Sequence, residues 1–382
     1  MAGFRTRGQP AALEIVARAV ASQRPPSALL VAGPARAGKT TLALDLAAGL
    51  LCLAEDPELR PCGACTACRK IEHGNHPDVH RLGPAGAGGQ IRIDQVRSLV
   101  VDLSLLPLEG RFRVAIISSA QRLNPDAQNA LLKTLEEPPA GAVLVLCADD
   151  ETLLLDTVRS RCARIRVGAV AAPIIAALLV ERGAADAATA AGIARLSDGR
   201  PGLALALAAS PDVLVTRMGL ARSLLDLTAV GRRGRLAAGP SLLAEAAVVA
   251  EVVDRRQGES GVSDPVIAPP PGPALTTVES ASGDGSMRAA PAARRAAAIA
   301  LIETWRDIAR DLVVVLAGGI GLVRDLALLE DYERVAGGVS MDDVAAFLTR
   351  LDGLAAAIDA YANADLLVDV LLLAWPRARI AA

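Results

Sequence analysis

Residues 27–41 read SALLVAGPARAGKTT, an apolar run that ends in the spacing G-x-x-x-x-G-K-T. Gly33 and Gly38 allow a tight loop whose backbone N–H groups face phosphate oxygens. Lys39 reaches the β- and γ-phosphates as a point charge, and Thr40 supplies the hydroxyl that holds Mg²⁺. The loop follows a buried strand and opens a helix, whose N-terminus adds its own partial positive charge. Gly33, Pro34, Ala35, Arg36, Ala37, Gly38, Lys39, Thr40 and Thr41 are therefore the expected nucleotide-binding residues. A phosphate loop between strand and helix decides the fold class of this part of the chain: α/β, with a parallel sheet flanked by helices.

Outward from the loop, short apolar runs alternate with helical patterns over residues 1–168. DVHRL (78–82), RFRVAIIS (111–118), AVLVLCA (142–148) and ARIRV (163–167) predict strands. Helices are expected at 40–53, 93–105 and 124–139, the last opened by Asn124–Pro125 and stopped by Pro138–Pro139. After Val167 the texture becomes helical. Residues 169–208 are rich in Ala and Leu, with turn signals at Arg182–Gly183 and DGRPG (198–202), and predict a small helical domain. Residues 209–382 predict an all-helical third domain. Clustered Pro, Gly and Ser over 256–293, including APPPGP, predict a disordered loop inside it.

Hydrophobic residues make up 52% of the 382 positions but aromatics only 2%, so Ala, Leu, Val and Ile must build the cores. A net charge of −2 gives no bulk electrostatic case for nucleic acid or membrane, so any DNA contact has to be local or shared with partners. MAGFRTRGQP at the N-terminus has no apolar signal region, and the run Leu312–Val323 is too short to span a bilayer. The expectation is a soluble, cytoplasmic protein. Only Lys39, Lys70 and Lys133 among the 40 basic residues are lysines. Lys133, followed by Glu136 and Glu137, reads as a surface pair with no chemistry of its own.

Hydrolysis needs more than the loop. A strand beside it should end in an acid that holds Mg²⁺ and a second that polarises water. The candidate strand, RVAIISSAQRL (113–123), has Ser118 and Ser119 in those places. A hydroxyl cannot act as a general base at neutral pH. Asp149 and Asp150 follow a different strand and are not favoured as replacements. These residues support nucleotide binding and argue against turnover.

Cys62, Cys65 and Cys68 are spaced C-x₂-C-x₂-C, with Cys52 ten residues upstream. Four thiolates close a tetrahedral structural zinc site, here within a module at 52–80. His73, His76 and His80 follow closely and could replace one ligand, but four Cys suffice. Cys147 lies in an apolar run and reads as a core residue.

After the phosphate loop come PCGACTACRKIEHGNHPDV (61–79), NALLKTLEEPP (129–139) and TVRSRC (157–162), in that order. In these motifs the chain resembles the bacterial DNA polymerase III clamp-loader family, of the AAA+ class. The resemblance is strong over residues 1–170, follows by pattern through 208, and beyond that is only helical texture. It implies an AAA+ domain with a zinc module, a helical lid (169–208) and a helical collar (209–382). It also implies that Arg161 is an arginine finger acting in trans on the ATP site of a neighbouring subunit, with Arg159 a weaker candidate. Cys162 is then a packing residue.

The family's motor subunits, gamma and tau, carry Asp-Glu where this chain has Ser118–Ser119, so the resemblance is to the non-hydrolysing delta-prime type. The absence of a long tail after the collar points the same way. Some members of that type have a degraded phosphate loop, and GPARAGKT here is intact, which implies ATP·Mg²⁺ binding without hydrolysis. The implied partners are gamma/tau motor subunits and a delta subunit in a hetero-pentameric ring of the polymerase holoenzyme, with the sliding clamp and primed DNA reached through that ring, and no membrane. Two alternatives are an active gamma/tau-like ATPase and a P-loop kinase. The kinase would need a basic lid, which 169–208 lacks.

Overall fold

The computed structural model describes residues 3–84, 89–259, 291–359 and 363–378. Its first part is one five-stranded sheet: β1 (Ala28–Ala32), β2 (Val79–Leu82), β3 (Arg113–Ile117), β4 (Ala142–Ala148) and β5 (Ala163–Arg166). All pairings are parallel, in the order β2-β3-β4-β1-β5. β1, β3 and β4 are buried at every residue, and apart from Arg113 at the start of β3 they are apolar throughout, as strands covered on both faces should be. The register sets Ala32 beside both Ala148 and Arg166, so the chain leaves β1, β4 and β5 at one level.

Six helices cover the sheet: α1 (Pro10–Ser22), α2 (Lys39–Leu51), α3 (Thr66–Glu72), α4 (Ile93–Ser104), α5 (Pro125–Glu136) and α6 (Asp156–Arg159). Strand side chains alternate between faces. Leu29 and Val31 of β1 pack with Val16 of α1 and Leu42 and Leu46 of α2. Ala28 and Leu30 pack with Leu99 of α4 and Leu131 of α5 on the other side. α5 starts as its sequence predicts, with Asn124 accepting a hydrogen bond from the Ala127 N–H and Pro125 in the first turn.

Two buried carboxylates hold the scaffold around the loop. Asp45 of α2 accepts from the backbone N–H groups of Arg5 and Thr6 and from the Thr6 hydroxyl at 2.6 Å, which straps the N-terminal segment across the helix. Asp78, just before β2, accepts from the N–H groups of Leu108, Glu109 and Gly110 at 2.6–2.9 Å. That fixes the turn feeding β3, whose far end reaches the site.

The rest of the described chain is helical. α7 (Ala172–Glu181), α8 (Ala187–Leu196) and α9 (Pro201–Ala208) surround a separate core of Ile175, Leu179, Ile193 and Leu207. α10 (Pro211–Asp226), α11 (Arg232–Glu259), α12 (Pro291–Leu316), α13 (Leu329–Ala336), α14 (Met341–Asp359) and α15 (Ala364–Ala374) share a larger one. Both tryptophans meet there: the Trp305, Phe347 and Trp375 rings lie 4.7–5.7 Å apart, and the Trp375 indole N–H donates to the Leu224 carbonyl. Arg200 pairs with Glu303 and Arg324 with Asp198, tying the small helical core to the large one.

The predicted loop at 256–293 differs at its edges. α11 runs to Glu259 and α12 begins at Pro291, so both ends of that stretch are helical, while residues 260–290 lie outside the described ones. Among the described residues one helical segment, Arg232–Val253 of α11, is long and apolar enough to cross a membrane. Its Leu242, Ala246, Val249 and Val253 are buried against the other helices.

Asp78 gives a stability prediction. Burial opposes its charge, but the three amide donors outweigh burial and hold its carboxyl below the ordinary value. A depressed carboxyl contributes stability that is present above the unfolded pKa of about 3.9 and is lost as pH falls through the folded one. Asp78→Ala should cost about 2–3 kcal/mol at pH 7, by leaving amides unpaired. In urea unfolding, the gap to the wild type should persist down to about pH 4 and narrow below it.

Candidate functional site

The phosphate loop follows β1 and opens α2, as predicted. Gly33 has φ +155°, and a Cβ there would lie 2.1 Å from the Val167 carbonyl oxygen. Gly38 is left-handed at φ +101°, with open space where a side chain would point. Arg36 is also left-handed, at φ +63°, and its carbonyl accepts the Gly202 N–H of α9 at 3.1 Å. The helical segment after the sheet therefore rests on the loop itself. The open cradle at Gly38, with Lys39 and Thr40 following on the first turn of α2, fits a polyphosphate.

Lys39 is nearly buried, at 6% exposure. Its ammonium donates to the Gly33 carbonyl at 2.8 Å and the Pro34 carbonyl at 2.6 Å, and pairs with Asp149 Oδ1 at 2.6 Å. Asp149 is itself held: the Gln121 amide donates to its Oδ2 at 2.8 Å, and its backbone N–H donates to Gln121 Oε1. Asp150 turns to its own chain and caps Thr152. Sequence reasoning sets Asp149 aside because it follows a different strand, yet that strand is the neighbour of β1. The sheet order was the missing signal.

Ser118 and Ser119 stand at the end of β3, two strands from the loop. The Ser118 N–H donates to the Leu82 carbonyl, and Ser119 is left-handed at φ +55°. No carboxylate extends from this strand end. Cys147 of β4 is buried, and burial pushes its thiol up to about 12.

Arg161 follows α6 on the surface. Its guanidinium pairs with Glu136 of α5 at 2.7 Å and donates to the Thr157 carbonyl at 3.0 Å. Arg159 is half-buried and pairs with Asp156. Cys162 is buried, its thiol raised to about 11 by burial. Lys133 is exposed. The Glu136 that sequence reasoning gave to Lys133 is instead the partner of Arg161.

The four predicted ligands converge. The sulfurs of Cys52, Cys62, Cys65 and Cys68 all lie within 4.8 Å of one another, and Cys52 and Cys65 are 4.0 Å apart. Tetrahedral Zn–S bonds of about 2.3 Å would place sulfurs about 3.8 Å apart, so the cluster fits such an ion. The Ala64 and Cys65 N–H groups lower the Cys62 thiol to about 6, while burial raises Cys68 and Cys52. None of the histidines joins the cluster. His73 bonds the Arg69 carbonyl, His76 accepts from the Asp78 N–H, and His80 accepts from the Arg113 guanidinium.

Residues 8–171 match the family model described as DNA polymerase III, delta subunit. DNA polymerase III subunit delta' of Pseudomonas aeruginosa is 42% identical over 135 residues, which is 35% of this chain and 41% of that one. The subunit delta' of Bacillus subtilis is 37% identical over 154 residues, 40% of this chain and 46% of that one. The subunit tau of Salmonella typhimurium is 35% identical over 163 residues, 43% of this chain and 25% of that one. The chain thus spans less than half the length of each of these relatives. A solved gamma subunit-related protein from Thermotoga maritima aligns over 94% of this chain and 97% of that one, at 18% identity and a TM-score of 0.39, too low to carry weight. Sequence and motif order agree over residues 8–171: there the chain matches the DNA polymerase III delta-subunit model and is similar to delta' and tau subunits of that polymerase.

Proposed function

We propose that the chain is a clamp-loader subunit of the delta-prime type, an AAA+ protein that takes nucleotide without turning it over. The observation that carries this reading is an intact phosphate loop in a sheet whose β3 ends in Ser118–Ser119 rather than two acids. Gly33 through Thr41 would hold the triphosphate of ATP, with Thr40 toward Mg²⁺. Neither serine can take a proton from an attacking water at neutral pH. Cys52, Cys62, Cys65 and Cys68 would hold a structural zinc, closed to substrate because all four positions are filled by protein.

Arg161 is the residue through which the chain would act on others. Its planar guanidinium, exposed after α6, would stabilise charge on the phosphoryl group transferred in an adjacent gamma/tau site. Residues 169–208 would serve as the lid and 209–382 as the collar that assembles the hetero-pentameric ring with gamma/tau and delta. The ring would open a sliding clamp and place it on primed DNA in the cytoplasm. The alternative, an active gamma/tau-like ATPase, has one observation in its favour: Asp149 places a carboxylate at the loop.

Steady-state turnover separates the two. The purified chain with Mg²⁺, ATP and primed DNA should show no turnover above background. Turnover abolished by Lys39→Ala would overturn the reading and favour the motor type. In a reconstituted complex, Arg161→Ala should leave assembly intact and slow single-turnover hydrolysis at one site on the order of 10³-fold. Unchanged hydrolysis at every site would remove the finger role.

The metal proposal has its own readout. Purified protein should carry one zinc per chain by elemental analysis, and Cys65→Ser should lower that content and the melting temperature together. Zinc-free protein of unchanged stability would count against it.

A further inference from the structure

An ammonium has three protons to donate, and Lys39 has committed all three inside the chain: to the Gly33 carbonyl, the Pro34 carbonyl and the Asp149 carboxylate. The two carbonyls belong to the loop and travel with it. Asp149 is different, because it brings a full negative charge to the place where a phosphate would meet Lys39.

Asp149 cannot simply withdraw when a phosphate arrives. It leaves the end of β4, whose Ala148 is in register with Ala32 at the end of β1. The Ala148 carbonyl accepts the Gly33 N–H at 3.2 Å. Gln121 grips Asp149 from the far side through both its second carboxylate oxygen and its backbone N–H. A nucleotide that displaces the carboxylate from Lys39 still finds it at the rim of the loop. Asp150 is engaged with Thr152, and β3 ends in two neutral serines, so the negative charge at this rim is that of Asp149.

We infer that Asp149 is the counter-anion of the phosphate loop and makes the site selective for nucleotide carried with a divalent cation over the free polyanion. This rests on the proposed reading that the loop takes ATP. A metal-free triphosphate brings about four negative charges against a fixed carboxylate with nothing between them, a repulsion that solvent at the 38%-exposed carboxylate weakens without removing. A divalent cation on the phosphates faces the carboxylate with the opposite sign, so the same residue becomes favourable. The discrimination lies in one charge, and an amide of the same shape would lose it while keeping a partner for Gln121.

The test is equilibrium binding of ATP to the full chain, wild type and Asp149→Asn, in Mg²⁺ and in excess EDTA. Wild type should bind with Mg²⁺ and at least about tenfold more weakly without it. Asp149→Asn should gain about tenfold in EDTA, closing most of that gap, with little gain in Mg²⁺. Asp149→Ser removes the same charge and should behave alike, which guards against an effect peculiar to the asparagine. If both variants keep the wild-type preference for Mg²⁺, the inference is wrong while the nucleotide reading stands. If no chain binds ATP in either condition, the nucleotide reading falls and the inference with it.

Discussion

Everything at the phosphate loop follows from β1 lying between β4 and β5 with all three strands pointing the same way. A parallel strand must send its chain out at one edge of the sheet, and its neighbours send theirs out beside it. The register therefore brings Gly33, Asp149 and Val167 together although more than a hundred residues separate the first from the others. The loop's left-handed turns, the burial of Lys39 and the reach of Asp149 are consequences of that edge. Asp45 and Asp78 keep it in place by satisfying backbone donors that the N-terminal strap and the turn before β3 would otherwise leave unpaired.

Much of this was legible in the chain because the signals are local. An apolar run ending in G-x-x-x-x-G-K-T names both the strand and the helix that follows, and Asn124–Pro125 marks a helix start by chemistry that acts over three residues. The four cysteines were legible because their spacing is itself the geometry of a closed site. The pairings were not. That Asp149 meets Lys39 depends on sheet order, which no window of sequence contains. That Glu136 meets Arg161 rather than Lys133 depends on how α5 sits against the turn after α6. The edges of the 256–293 stretch were misread because composition signals the middle of a loop better than its ends, and Pro291 opens a helix as readily as it closes one.

The two arginine and lysine sites are built on opposite plans. Lys39 is enclosed, with three oxygens around a compact ammonium. Arg161 lies on the surface, its guanidinium shared between one carboxylate and one carbonyl of its own neighbourhood. A group that serves its own chain gains from enclosure, and one proposed to serve another chain has to be presented. Glu136 restrains the long side chain without burying it, which reduces the rotamer freedom that remains to be lost on contact.

The bond from the Gly202 N–H to the Arg36 carbonyl makes α9 a strut between the loop and the helical parts of the chain. Eight residues of helix extend about 12 Å from that bond, and the residue just before them, Arg200, is paired with Glu303 of α12. One end of a single short helix thus joins the loop, by a hydrogen bond, and the large helical core, by an ion pair two residues away.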